Sequence, residues 1–119
     1  MDKALDFVGS SREDLQAFPK RVRWLIGHQL FKVQAGEKPE HAKPLQGFGG
    51  AGVLELIAYF DRATYRGVYT VKFEKSVYVL HCFQKKSKRG IETPQQDIEL
   101  IKRRFKEAEE AYEAAYGQS

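Results

Sequence analysis

The sequence predicts an α+β fold with N-terminal helices, a small antiparallel sheet of three to four strands, and a long C-terminal helix. Three observations carry this. Apolar residues recur at helical spacing near both ends of the chain. Residues 53–84 are rich in β-branched and aromatic side chains, and the connections between those apolar runs are short. Ser10 and Glu13, and again Ser11 and Asp14, resemble capping boxes, so a short helix should begin there. Pro19 fits the first turn of a second helix, where its missing N–H costs nothing. Phe18, Val22, Leu25, Ile26 and Leu30 or Phe31 keep one face of that helix buried, and Gly36 is a stop.

The segment GEKPEHAKPLQGFGGAG has the composition of an irregular connection. Val53–Phe60 is nearly continuous apolar and reads as a strand buried on both sides. Residues 65–74 alternate, with Tyr65, Tyr69, Val71 and Phe73 on one face and Arg66, Val68, Thr70 and Lys72 on the other. Residues 77–84 place Val77, Val79, His81 and Phe83 opposite Tyr78, Leu80, Cys82 and Gln84. Short turns make these strands an antiparallel meander, to which residues 1–8 can add an edge strand. Thr93 and Pro94 mark a helix start as N-cap and first-turn proline. Ile98, Ile101, Phe105, Ala108, Tyr112 and Ala115 then form one apolar stripe.

At 119 residues the chain should form a single domain over 1–119. With 42% apolar and 30% charged residues it is neither disordered, collagenous nor disulfide-dense. The longest apolar run, VLELIAYF, is interrupted by Glu55 and falls short of the roughly 18 residues a membrane span needs. The N-terminus lacks the apolar core of a secretory signal. A cytoplasmic protein without a membrane partner is expected. The single cysteine, Cys82, agrees with a reducing compartment.

The net charge of +4 is unevenly spread. Residues 62–91 carry Arg62, Arg66, Lys72, Lys75, Lys85, Lys86, Lys88 and Arg89 against Glu74 alone, net +7. The preceding residues are neutral and the following ones net −3. Such a concentration suits a phosphate-binding face, and equally a solvated sheet edge guarded by lysines. Arg66 can hold two phosphate oxygens in fixed geometry, or pair with a carboxylate.

Other motifs are weaker. Gly47, Gly49 and Gly52 fit a dinucleotide fingerprint, but a loop precedes them and a strand follows, the reverse of the required context. They rather permit a tight approach to the sheet. RGVYTVKF matches the RNA-recognition signature only at Arg66, Gly67, Val71 and Phe73, without the base-stacking aromatics. His81 and Cys82 point to opposite faces and cannot form a nucleophile–base pair. His28, His41 and His81 lack metal-ligand spacing, so no metal and no cofactor are expected. His81 suits proton transfer by its unperturbed pKa, and also suits a packed, hydrogen-bonded role.

From Leu45 to Arg104 the blocks LQGFGGAGVLEL, TYRGVYTV and VYVLHCFQKKSKRGIETPQQDIELIKRR follow in order. They resemble the RelE/HigB superfamily of toxins from bacterial toxin–antitoxin systems, in its phage-derived HigB-like branch. Tyr65-Arg66 on the central strand and the strand end LH-x-F-x-KK, followed by Thr93-Pro94 and a helix, carry the resemblance. It implies a RelE-like fold and an mRNA endoribonuclease, free or on the ribosome, neutralised by a small helix-turn-helix antitoxin. It also implies that Arg66, Lys85 and Lys86 lie on a concave RNA-receiving face with Lys88 and Arg89 beside them. Several superfamily members end with a histidine or tyrosine that transfers a proton; here Tyr112 and Tyr116 sit on a long helix.

The chemistry such a toxin performs, attack of a ribose 2′-hydroxyl on the adjacent phosphate, needs no metal. Fixed cations stabilise the developing charge, a role for Arg66. Lys85, Lys86 and His81 are candidates for proton transfer. Arg62, Lys72, Phe83, Lys88 and Arg89 are candidates for holding the RNA, with Phe83 stacking a base or packing in the core. Two alternatives stay open: a gyrase-poisoning toxin of the same fold family, and a non-catalytic RNA- or antitoxin-binding module. Monomer and homodimer are both open.

Overall fold

A computed structural model describes residues 2–85 and 93–117. In chain order these form β1 (Ala4–Phe7), α1 (Ser11–Gln16), α2 (Lys20–Gln34), β2 (Ala42–Pro44), β3 (Val53–Phe60), β4 (Ala63–Thr70), β5 (Ser76–Lys85) and α3 (Gln95–Tyr116). The strands make one five-stranded sheet in the order β1-β5-β4-β3-β2. The α+β architecture and the antiparallel β3–β4–β5 meander are as the sequence predicts.

Three features differ from that expectation. β1 pairs with β5 in parallel, because two helices and three strands intervene and give the chain room to cross over. β2 forms inside the segment expected to be irregular and pairs with β3. It ends on Pro44 at the sheet edge, where a proline removes no ladder bond. β4 occupies Ala63–Thr70 rather than 65–74. It starts early because Asp61 and Arg62, with φ of 50° and 65°, make a two-residue left-handed turn that pairs Phe60 with Ala63. It ends early because Thr70 Oγ1 accepts the Lys72 amide at 3.1 Å and the Val71 amide donates to Gly52 O at 2.9 Å. Gly52 has a φ of +72°, and a Cβ there would lie 3.2 Å from the Lys72 nitrogen, so glycine is what lets β3 begin at this crossing.

The helix starts lie where the sequence places them but are built differently. Ser10 Oγ donates to the Asp14 carboxylate rather than capping backbone N–H groups. Pro94, not Thr93, occupies the N-cap of α3, because the Thr93 hydroxyl is engaged elsewhere.

Helices cover both faces. Val22, Ile26, Leu30 and Val33 of α2 pack on Leu56, Ala58, Tyr65, Tyr69, Val77, Val79 and Cys82. On the other face, Ile101 and Ala108 of α3 meet Val53, Val68, Tyr78 and Leu80, joined by Phe73, Phe105 and Tyr112. Phe73 thus changes sides relative to Tyr69, which follows from β4 ending at Thr70.

A bulge in β5 decides which way the last residues of that strand face. Tyr69 pairs with Val79 and Val68 with His81, so Leu80 is an extra residue. Arg104 of α3 donates through Nη1 to the Leu80 carbonyl at 3.0 Å, satisfying a group the ladder cannot. The extra residue reverses the alternation. His81 and Phe83, expected beside Val77 and Val79, instead lie on the α3 face with Val68 and Arg66.

Candidate functional site

Where α3 begins, the register places three cross-strand rows on its side of the sheet: Glu55, Val68 and His81; then Ile57, Arg66 and Phe83; then Tyr59, Thr64 and Lys85. Glu55, Arg66, His81 and Lys85 are buried. Among the described residues they are all the buried Asp, Glu, Lys, Arg and His side chains in the protein. Desolvating such groups is costly unless each finds a partner.

Arg66 finds Glu55. Its Nη1 donates to Glu55 Oε1 at 2.5 Å, with Arg66 3% and Glu55 1% exposed. The Thr93 hydroxyl donates to the other carboxylate oxygen at 2.9 Å, and Lys43 Nζ stands 4.0 Å from Oε1. Arg66 was expected to meet a phosphate from solvent. In the structure its guanidinium is neutralised inside the protein, and that expectation is corrected: a phosphate would have to displace a buried, hydrogen-bonded carboxylate.

His81 Nε2 lies 2.8 Å from Asp97 Oδ1, in the first turn of α3. A carboxylate accepts, so Nε2 holds the proton and a neutral ring keeps its lone pair on Nδ1. Nδ1 is buried and has no partner among the described residues. The Phe83 ring stacks on the imidazole at 4.6 Å and 19°. This histidine therefore has a fixed orientation and, among the described residues, one nitrogen without a partner, an arrangement that fits a packed, hydrogen-bonded histidine and also a proton-transfer group. Cys82 points the other way into the α2 core. Burial pushes its thiol up to about 12, which removes it as a nucleophile.

Lys85 closes β5 opposite Thr64. Arg62 is exposed in the β3–β4 turn at the same end of the sheet. Lys72 is a second correction. It lies past the opposite end of β4, where its ammonium bonds Glu109 Oε2 at 2.6 Å, so it cannot join Arg62 and Lys85. Lys86, Lys88 and Arg89 lie outside the described residues. Beside Glu55 opens a cleft of about 490 Å³ lined by Lys43, Gln46, Thr93, Gln95 and Lys102 among others. Among the described residues no His, Cys, Asp or Glu side chains group as metal ligands, and no helix is long and apolar enough to cross a membrane.

Sequence reasoning missed Glu55, Thr93 and Asp97. Glu55 did leave a signal, since a carboxylate within an otherwise apolar strand must meet a cation, and the hairpin register puts Arg66 one row away. Asp97 left none, because an acidic residue in a first helical turn is already explained by the helix dipole.

The model of the family described as "Phage derived protein Gp49-like (DUF891)" matches residues 13–106, most of the chain. The chain belongs to this Gp49-like family. Among solved structures, the Gp49-like chain is similar to the toxin RelE of E. coli, determined in the free state as a double arginine-to-alanine mutant. The two are 20% identical with a TM-score of 0.59, over 90% of this chain and 98% of RelE. It is also similar to a chain of the RelBE2 toxin–antitoxin complex from Mycobacterium tuberculosis, at 22% identity and a TM-score of 0.52, over 71% of this chain and 100% of that one. The Gp49-like chain therefore has the RelE fold. No curated protein matches it.

Proposed function

We propose that this Gp49-like protein is the toxin of a type II toxin–antitoxin pair, that it cleaves RNA at the sheet face around His81, and that an antitoxin protein silences it. The observation that carries this is the gathering of Glu55, Arg66, His81 and Lys85 on one end of one sheet face. Buried ionic groups add little stability over apolar packing, and they cluster where chemistry is done. The shared fold with RelE, a toxin, and with a chain of a toxin–antitoxin complex supports the same reading.

In this proposal RNA binding uncovers His81 Nδ1, which is buried in the free protein, and that nitrogen accepts the proton of a ribose 2′-hydroxyl while Asp97 holds the ring. The 2′-oxygen attacks the adjacent phosphorus, and the 5′-oxygen leaves with a proton from a second group. Lys85, with Lys86, Lys88, Arg89 and Arg62, supplies positive charge for the backbone, and Phe83 stacks a base on the ring face turned away from His81. No metal takes part. Arg66 acts as a positioning residue: with Glu55 it holds Thr93, four residues before Asp97. The protein works in the cytoplasm on mRNA, with or without the ribosome.

The test is incubation of purified protein with mRNA, with and without translating ribosomes, and in parallel with gyrase and supercoiled DNA. Expected are cuts ending in 2′,3′-cyclic phosphate, reduced about 10²- to 10⁴-fold in a folded His81→Ala variant. Stalled gyrase with intact RNA would instead identify a gyrase poison. RNA bound and left whole would identify a non-catalytic module, the reading that neutralisation of Arg66 by Glu55 favours.

A further inference from the structure

The outer side of α2 carries large apolar side chains in the open. Val22, Ile26, Leu30 and Val33 face the sheet. Trp24, His28 and Phe31, at spacings of four and three, form a ridge on the opposite side. Trp24 is 56% and Phe31 61% exposed, in a protein that had a core available for both. Around the helix from this ridge, Leu25 and Gln29 line a mostly apolar cavity of about 200 Å³, with Leu56 and Ala58 on its sheet side. Gln29 Oε1 is buried there with no hydrogen-bond partner among the described residues. The pairing of β2 with β3 runs from Leu54 to Leu56, so residues 57–59 border the same cavity at the sheet edge. Exposed apolar area of this continuity marks an interaction surface.

Charge selects the occupant. The α2 sequence KRVRWLIGHQLFKVQ carries Lys20, Arg21, Arg23 and Lys32 and no acidic residue. A helix with both long aliphatic and acidic side chains complements such a face; a basic or neutral one does not. A nucleic acid would also answer the charge, but it binds by stacking bases on open aromatic faces. The Trp24 ring is stacked by His28 one turn on, at 5.0 Å and 5°, while Arg21, one turn before, lies over it at 5.4 Å. Two neighbours on the same helix thus already lie against the ring, which leaves less of it open for a base to stack on.

We infer that the α2 ridge and its adjoining cavity are a docking surface for an acidic amphipathic helix of a partner protein. The helix lays aliphatic side chains along Trp24 and Phe31, inserts one into the cavity, and gives a donor to Gln29. This surface lies across the sheet from His81 and does not depend on RNA cleavage there.

Trp24 is the single tryptophan of the chain, so its fluorescence reports on this face alone. The probe is a synthetic acidic amphipathic peptide of about five helical turns, with leucines at every third and fourth position and glutamates flanking them. Its titration into the full-length protein should blue-shift Trp24 emission, saturably and less strongly at high salt. Phe31→Ala and Arg21→Glu, each with an unchanged circular dichroism spectrum, should weaken binding by about tenfold or more. A His81→Ala variant should bind as well as the wild type. The inference is overturned if a scrambled peptide of the same composition or a lysine-for-glutamate peptide shifts the emission equally, or if neither variant changes the affinity. It is also overturned if only single-stranded RNA produces the shift, or if raising the protein concentration alone does, which would assign the face to a nucleic acid or to a second copy of the chain.

Discussion

On the α2 side of the sheet the buried apolar cluster is Val22, Ile26, Leu30, Val33, Leu56, Ala58, Tyr65, Tyr69, Val77, Val79 and Cys82, and none of the buried Asp, Glu, Lys, Arg or His side chains among the described residues lies on that side. On the α3 side the same three strands bury Glu55, Arg66, His81 and Lys85. Both faces exclude water, but only one does so at an electrostatic cost that packing does not require. The first holds the strands together. The second uses that rigidity to keep polar groups in place.

The contrast can be broken most severely at Glu55. Glu55→Ala leaves the Arg66 guanidinium buried without its carboxylate and should cost about 3–5 kcal/mol in a urea titration. The double variant Glu55→Met, Arg66→Leu should recover most of that loss and remain inactive on RNA. Next comes the apolar side. Ile26→Ala should cost about 2–5 kcal/mol by cavity formation, yet leave cleavage per folded molecule unchanged, because Ile26 packs in the apolar cluster on the α2 side. Failure of either half, an inactive Ile26 variant or an active double variant, would remove the division of labour between the faces.

Arg104→Ala is expected to be milder, about 1–2 kcal/mol, through loss of its bonds to Leu80 O and Ser10 Oγ. Its particular signature is loosened pairing at the bulge, read as faster amide exchange at His81 and Cys82. The smallest effect is on alkaline stability. Burial raises the Cys82 thiol from 9.0 to about 12 and the Tyr69 phenol from 10.0 to about 12. The folded chain keeps these protons where the unfolded chain releases them, so stability is whole below pH 9 and falls as pH rises toward 12. Thermal melts across that range should show the decline, and Cys82→Ala should flatten part of it.

The amphipathic stripes of α2 and α3 and the apolar runs of β3 and β5 were legible because each depends on local periodicity. β2 was not, since three residues ending on Pro44 owe their strand form to β3 rather than to themselves. For the site, Lys85 and His81 could be named from the sequence, but their shared face could not. Alternation places His81 beside Val79, and only the extra residue Leu80, tied to Arg104 twenty-four positions away, turns it toward α3. The misreading of Arg66 has the same origin. A basic residue in a net-positive stretch looks free when only its chain neighbours are counted. Glu55, eleven positions earlier and across a hairpin, decides otherwise.

The most direct measurement is an amide and side-chain NMR titration of the whole protein with single-stranded RNA methylated at every 2′-oxygen, which can bind but cannot be cut. The His81 ring, Phe83, Thr93 and Asp97 should shift together, with Val22, Ile26 and Leu30 unmoved. Shifts confined to α2, or spread evenly over both faces, would mean that the buried polar cluster is not where RNA is received.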